Sequence, residues 1–158
     1  MNSVIVPEGV EAEILGEACL AFEPASTAKA RACVREWIGA DHRAYENVRL
    51  ATSELVTNAA VHTGRGSTGD LIVLTLTRVQ NLLFLEVTDP GGESSWPRVF
   101  DAVPDDAECG RGLAIVRELS QGRWGVRDRG ILGRTVWCAL DACPVPGRRT
   151  RDTDRPRA

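Results

Sequence analysis

The chain has 158 residues, and a single domain of this length buries roughly 70% of the surface of its unfolded chain. Hydrophobic residues make up 43% and charged residues 26%, as in ordinary soluble globular proteins. The net charge of −3 gives no reason to expect nucleic-acid binding driven by overall charge, and the longest apolar runs have the length of strands, too short to cross a bilayer. The acidic N-terminal segment does not resemble a secretory signal, so we expect a cytoplasmic protein without a membrane partner.

The first part of the chain is predicted to form an arm, a strand and a helix. Residues 1–12 are predicted to form a flexible N-terminal arm, and residues 14–22 a first strand that ends before a proline. Ser26 and Thr27 have side chains that cap helix N-termini, so we expect them to precede a helix over residues 28–40. Apolar residues recur at helical spacing within that segment.

The central part of the chain is predicted to form a second helix and a pair of strands. The helix is expected over residues 44–62, where a Thr-Gly pair ends it. Residues 71–77 and 82–88 are apolar and β-branched, and residues 79–81 form the turn between them. This pattern is typical of two antiparallel strands.

The last part of the chain begins with a long loop over residues 89–110, rich in Gly, Pro and Asp, and loops of this length inside a compact domain are usually functional. A short helix is expected over 112–120 and a final hairpin from strands 124–127 and 135–140. Residues 143–158 lack apolar periodicity and are predicted to be a disordered basic tail. The folded domain is therefore expected over residues 13–142. Its order of elements favours an α+β fold, a two-layer α/β sandwich with the helices on one face of a mixed, mainly antiparallel sheet.

The segment ELVTN at 54–58 places two polar side chains on one edge of the second helix. At 100° per residue, Val48, Leu55 and Ala59 form the core face, and Glu54 and Asn58 lie one turn apart along its rim. An amide oxygen suits Mg²⁺, and a neighbouring carboxylate can accept a proton from a group that attacks a phosphate. The alternative is an ordinary solvated helix edge.

Two further segments each allow a structural and a functional interpretation. Asp89 follows a buried strand and precedes Pro-Gly-Gly, a sequence that first of all indicates a turn. In the functional interpretation, Asp89 ends the strand at the floor of a pocket, and Gly91 lets the backbone approach a ligand. The segment GRGLAIV at 110–116 puts glycines at the start of a helix, where backbone N–H groups bind anions. It lacks the third glycine of a dinucleotide fingerprint, and no P-loop sequence occurs in the chain.

ELVTN, DPGG and GRGLAIV occur in the order and at the spacing of the N, G1 and G2 boxes of the GHKL superfamily, and GRTV at 133–136 resembles its last box. The resemblance covers about residues 20–140 and predicts the Bergerat ATP-binding fold. The wording of the first box is most similar to that of the anti-sigma-factor serine/threonine protein kinases of the histidine-kinase-like ATPase family.

The resemblance implies a role for each matching residue, with ATP and Mg²⁺ as cofactors. Glu54 is the expected general base, Asn58 the Mg²⁺ ligand, and Asp89 the residue that reads adenine beside Gly91. The remaining nucleotide-binding residues of the prediction belong to the later boxes: Gly110 and Gly112 contact phosphates, Arg111 adds charge, Leu113 belongs to the same segment, and Thr135 assists adenine through a water.

The leading hypothesis implied by the resemblance is a kinase that sequesters a sigma factor and phosphorylates an antagonist protein, commonly as a homodimer. The alternative is a nucleotide-sensing binding module with little or no kinase activity, favoured by the short, acidic segment at 92–109, where Glu93 also replaces the last glycine of the commoner G1 pattern. A two-component histidine kinase is disfavoured, because no helix pair with a phosphoacceptor histidine precedes ELVTN. No direct contact with nucleic acid is expected.

Overall fold

A computed structural model describes residues 8–62, 71–89, 108–128 and 133–144. The elements in chain order are β1 (Ala12–Ala21), α1 (Ala25–Ile38), α2 (Tyr45–His62), β2 (Leu71–Val79), β3 (Leu82–Asp89), α3 (Glu108–Leu119), β4 (Trp124–Asp128) and β5 (Arg134–Asp141). The five strands form one sheet in the order β1-β2-β3-β5-β4, and every described pair is antiparallel. The predicted two-layer α+β sandwich is confirmed, with an antiparallel rather than a mixed sheet.

The core lies between the helices and one face of the sheet. Because side chains alternate along a strand, Leu74, Leu76 and Leu85 share the face that packs on α1 and α2. Leu55 of α2 is also fully buried, as its position on the helix predicts. Burying a leucine side chain of this kind stabilises the fold by about 1.5–3 kcal/mol.

The opposite face of the sheet, which we call the outer face, carries an ion pair. Glu86 of β3 is 1% exposed, and its Oε1 lies 3.0 Å from Nη2 of Arg127 on β4. The guanidinium of Arg127 also lies 5.6 Å from the ring centroid of Trp137, the β5 residue paired with Glu86. A buried carboxylate is thus held by a cation that stacks on an aromatic ring.

The start of α1 differs from the prediction. The helix begins at Ala25 with Pro24 as its N-terminal cap, and no side chain caps it. Pro24 has φ −57° and ψ −34°, already helical values, so the helix begins before the predicted caps are reached. Ser26 instead donates its Oγ hydrogen bond back to the carbonyl oxygen of Ala21, at 2.5 Å, and fastens the helix to the end of β1.

Gly16 of β1 allows α1 to lie close on the sheet. β1 has an irregularity in its pairing with β2 between Ile14 and Gly16. A Cβ atom at position 16 would overlap the indole ring of Trp37 on α1. The ring therefore packs directly on the strand backbone, and only glycine fits there.

Candidate functional site

Glu54 and Asn58 lie together on α2, next to α3. Both side chains are half-buried, which confirms their predicted position at the edge of the core face. Gly112 of α3 faces them: a Cβ atom at position 112 would lie 2.5 Å from Oε2 of Glu54 and 3.7 Å from Oδ1 of Asn58. A carboxylate oxygen and an amide oxygen therefore border a space that exists because residue 112 has no side chain.

The helix α3 begins earlier than its glycines predict. It starts at Glu108 rather than at Gly112, so Gly110 and Gly112 lie inside its first two turns. A helical glycine costs only about 1 kcal/mol relative to alanine, which a close helix contact can offset. The N–H groups of the first helical residues, including Gly110, have no acceptor within the helix and are therefore available to an anion. The N–H of Gly112 is placed to donate within the helix, so what this residue supplies to the site is its close approach to α2.

The two residues that flank Gly112 in the predicted site have different surroundings. Arg111 is exposed, so its side chain can extend toward a phosphate at the start of α3. Leu113 is partly buried and packs against the hydrophobic core. Its contribution in the structure is to hold α3 on the domain.

Asp89 is the last residue of β3 and lies on the same face as Leu85 and Val87, which is the face that the helices cover. Its side chain is only 3% exposed. Its partner across the strands is Arg134, the first residue of β5, whose Nη2 lies 3.3 Å from Oδ2 of Asp89. The carboxylate is thus held by a guanidinium that is itself 12% exposed.

Sequence reasoning missed Arg134. The signal was present, since Arg134 sits between Gly133 and Thr135 in the last box. Predicting the contact of Arg134 with Asp89 requires knowing that β5 pairs with β3, so that residues 89 and 134 lie opposite each other. That pairing joins residues 45 positions apart, and the local pattern of neither strand encodes it.

Thr135 lies on the outer face, opposite to the side on which Asp89 and Arg134 meet. It is buried, and its Oγ1 lies 2.7 Å from Oγ1 of Thr88, its partner on β3. The structure therefore does not bring Thr135 to the carboxylate of Asp89, and its assistance to adenine stays a prediction. Gly91 lies outside the described residues.

The described residues form two groups with distinct chemistry. Glu54, Asn58 and Gly112 combine oxygen ligands with the N-terminal half of α3, an arrangement that suits phosphates and a hard cation. Asp89 places an acceptor at the end of the sheet, which suits the amine of a base, and Arg134 already donates a hydrogen bond to it. No helix in the described part of the chain is long and apolar enough to cross a membrane.

Comparison with known proteins identifies the family. The family model of the histidine kinase-like ATPase domain matches residues 20–136, which include Glu54, Asn58, Asp89 and both glycines of α3. A comparison with curated proteins gives no match. The matched region covers most of the chain and all of the described site, and its sandwich of helices on an antiparallel sheet agrees with a domain of this type. The chain belongs to the histidine kinase-like ATPase family.

Proposed function

We propose that the protein binds Mg²⁺-ATP between α2, α3 and the end of β3, and acts as a regulatory serine/threonine protein kinase of the anti-sigma-factor type. The single observation that carries ATP binding is the packing of Gly112 against Glu54 and Asn58. It brings the N-terminal half of α3, whose first turn suits phosphates, next to two oxygen-bearing side chains suited to a hard cation and to proton transfer. The kinase assignment adds the resemblance of the ELVTN segment to that of anti-sigma-factor kinases.

The residues around Gly112 fit a magnesium ion. Mg²⁺ takes oxygen ligands, keeps several waters and is completed by substrate phosphates, so one amide oxygen of Asn58 is a suitable protein ligand. A Cβ atom at position 112 would lie 3.7 Å from Oδ1 of Asn58, so this oxygen lies beside the N-terminal half of α3, near the end at which phosphate oxygens are expected. When bound, the ion neutralises charge on the phosphates during transfer.

Glu54 is suited to accept the proton in the transfer step. The hydroxyl oxygen of a serine or threonine on the antagonist attacks the γ-phosphorus, and the bond from that phosphorus to the β–γ bridging oxygen breaks. ADP leaves with that oxygen, and the hydroxyl proton passes to a carboxylate oxygen of Glu54. The half-buried position of this side chain, one turn before Asn58, holds the base beside the proposed phosphate site.

Calorimetric titration with ATP, with and without Mg²⁺, tests the site. We expect Mg²⁺-dependent binding by the wild type and its loss in Asn58→Ala. Thr57→Ala is the matched control, because Thr57 neighbours Asn58 on α2 but is exposed and its hydroxyl contacts Thr27 of α1. Absence of binding to the wild type, or equal Mg²⁺ dependence in Asn58→Ala, would contradict the proposed site.

A phosphotransfer assay with candidate antagonist proteins tests the reaction. Glu54→Gln is expected to abolish transfer of labelled γ-phosphate while sparing ATP affinity. Glu46→Gln, an exposed glutamate in the first turn of the same helix, should transfer at the wild-type rate. Transfer at full rate by Glu54→Gln would remove this residue as the base. The proposal also includes a homodimer that sequesters a sigma factor. Co-purification with candidate sigma factors tests the sequestration, and the molecular mass in solution tests the dimer.

The second candidate function is a nucleotide-sensing module that changes its affinity for a partner without phosphorylating it. The observation that favours it is the short, acidic sequence at 92–109, whose carboxylates do not favour retention of a triphosphate. ATP-dependent partner binding that is unchanged in Glu54→Gln, with no transfer by the wild type, would select this candidate.

A further inference from the structure

Arg134 contacts the carboxylate of Asp89, the group that the proposed function assigns to adenine. Its Nη2 already donates to Oδ2 of Asp89, and both side chains are nearly buried. The exocyclic amine of adenine is a hydrogen-bond donor like the guanidinium, so it also requires an acceptor oxygen of this carboxylate. Since the carboxylate is only 3% exposed, a base reaches it only if a neighbouring group moves.

The contact is of a kind that can be exchanged. The best charge-assisted hydrogen bonds between a guanidinium and a carboxylate measure about 2.7–2.9 Å. The Arg134–Asp89 distance of 3.3 Å is longer than this, whereas Arg123 and Asp141, on the same β4–β5 hairpin, are 2.8 Å apart. Arginine also has several rotatable bonds, while the backbone of Asp89 is fixed in the sheet by its pairing with residue 134.

We infer that Arg134 competes with the nucleotide base for Asp89 and thereby sets the ATP affinity of the site. This inference rests on the proposed function, in which Asp89 accepts the adenine amine. Binding exchanges one donor for another at Oδ2: the guanidinium withdraws toward solvent and the amine takes its place. The protein thus binds ATP more weakly than an otherwise identical site whose residue 134 leaves the carboxylate to the ligand.

Titration of Arg134→Thr with ATP tests the inference. A charge-assisted hydrogen bond contributes about 1.5–3 kcal/mol, so ending the competition is expected to tighten ATP binding at least about tenfold. Arg134→Lys keeps a cation beside Asp89 and should stay near the wild type. Arg123→Thr is the matched control, because it removes an ion pair from the same hairpin at a distance from Asp89, and its ATP affinity should be unchanged.

Thermal unfolding supplies a second readout. Without ATP, Arg134→Thr should melt below the wild type, since a buried carboxylate loses its partner. The rise in Tm produced by saturating ATP should nevertheless exceed that of the wild type. If the threonine variant does not fold, Arg134→Gln retains an uncharged donor to Asp89, and its ATP affinity should fall between those of the wild type and an unopposed site.

The outcomes separate this inference from the proposed function. Wild-type binding together with equal or weaker binding by Arg134→Thr and Arg134→Gln would overturn the competition and leave the ATP site standing. Binding by Arg134→Thr alone would support both. No binding of ATP by any of the proteins would overturn the ATP site and this inference with it.

Discussion

Substituting Gly112 by alanine separates the stability of the protein from its chemistry. The new Cβ would lie 2.5 Å from Oε2 of Glu54, where an ordinary contact begins at about 3.4 Å, so the carboxylate must retreat by about 1 Å. Glu54 can do so by rotating its side chain, which costs about 0.5–1.5 kcal/mol. Alanine in a helix gains about 1 kcal/mol over glycine, so the two terms nearly cancel. A misplacement of about 1 Å at a reacting group can reduce a rate by about 10²-fold.

Two assays on the same protein check this prediction. Urea denaturation should give Gly112→Ala a free energy of unfolding within about 1 kcal/mol of the wild type, whereas phosphotransfer should fall by about 10²-fold. In a Glu54→Ala background no carboxylate is present to be displaced. Gly112→Ala should then stabilise the protein by about 1 kcal/mol, and the difference between the two backgrounds measures the contact.

Two results would refute the reasoning. A loss of several kcal/mol in both backgrounds would mean that α3 packs on α2 through its backbone rather than against the side chain of Glu54. Full phosphotransfer by Gly112→Ala with normal stability would mean that the position of the Glu54 carboxylate does not matter for the reaction.

Three further predictions concern Asp89, Glu86 and Cys138. In the Arg134→Thr background, where no guanidinium competes for the carboxylate, Asp89→Asn should weaken ATP binding by about 1.5–3 kcal/mol in calorimetry, and unchanged affinity would remove Asp89 from the adenine site. Glu86→Gln should lower the free energy of unfolding by about 3 kcal/mol, a value at the low end for a buried ion pair because Arg127 is partly exposed. The surface control Glu46→Gln should change the free energy of unfolding by less than about 1 kcal/mol. Burial raises the pKa of the Cys138 thiol from 9.0 to about 12, so the unfolded chain releases this proton first and stability is lost as the pH rises from 9 toward 12. Between pH 8 and pH 10 the wild type should lose about 1.4 kcal/mol more than Cys138→Ala in urea denaturation, and an equal loss would show that Cys138 does not ionise on unfolding.

Elements with a strong local pattern were predicted from the sequence within a few residues. The helix expected over 44–62 is found at Tyr45–His62, and the strands expected over 71–77 and 82–88 are found at Leu71–Val79 and Leu82–Asp89. Helical periodicity also placed Glu54 and Asn58 correctly at the rim of the core. These features follow from side-chain spacing along one element, which the sequence contains in full.

Features that depend on contacts between distant segments were not predicted. The approach of Gly112 in α3 to Glu54 on α2 is one such feature. The start of α1 was missed for a local reason, since Pro24 already has helical φ and ψ and Ser26 donates a hydrogen bond to Ala21, five residues before it. The meeting of Arg134 with Asp89 follows from the pairing of β5 with β3. For Gly112 and Arg134, the role of the residue was decided by a neighbour far away in the sequence.

The ion pair between Glu86 and Arg127 has a consequence for the other side of the sheet. If β3 slipped by one residue against β5, every side chain of β3 would exchange faces. Glu86 would then enter the apolar core without its cation, and Asp89 would turn away from the helices. The cost of burying an unpaired carboxylate opposes this slip, so an ion pair on the outer face stabilises the strand alignment that sets Asp89 opposite Arg134. Substitutions at residues 86 and 127 are therefore expected to alter nucleotide binding, although both side chains lie on the opposite face of the sheet from Asp89.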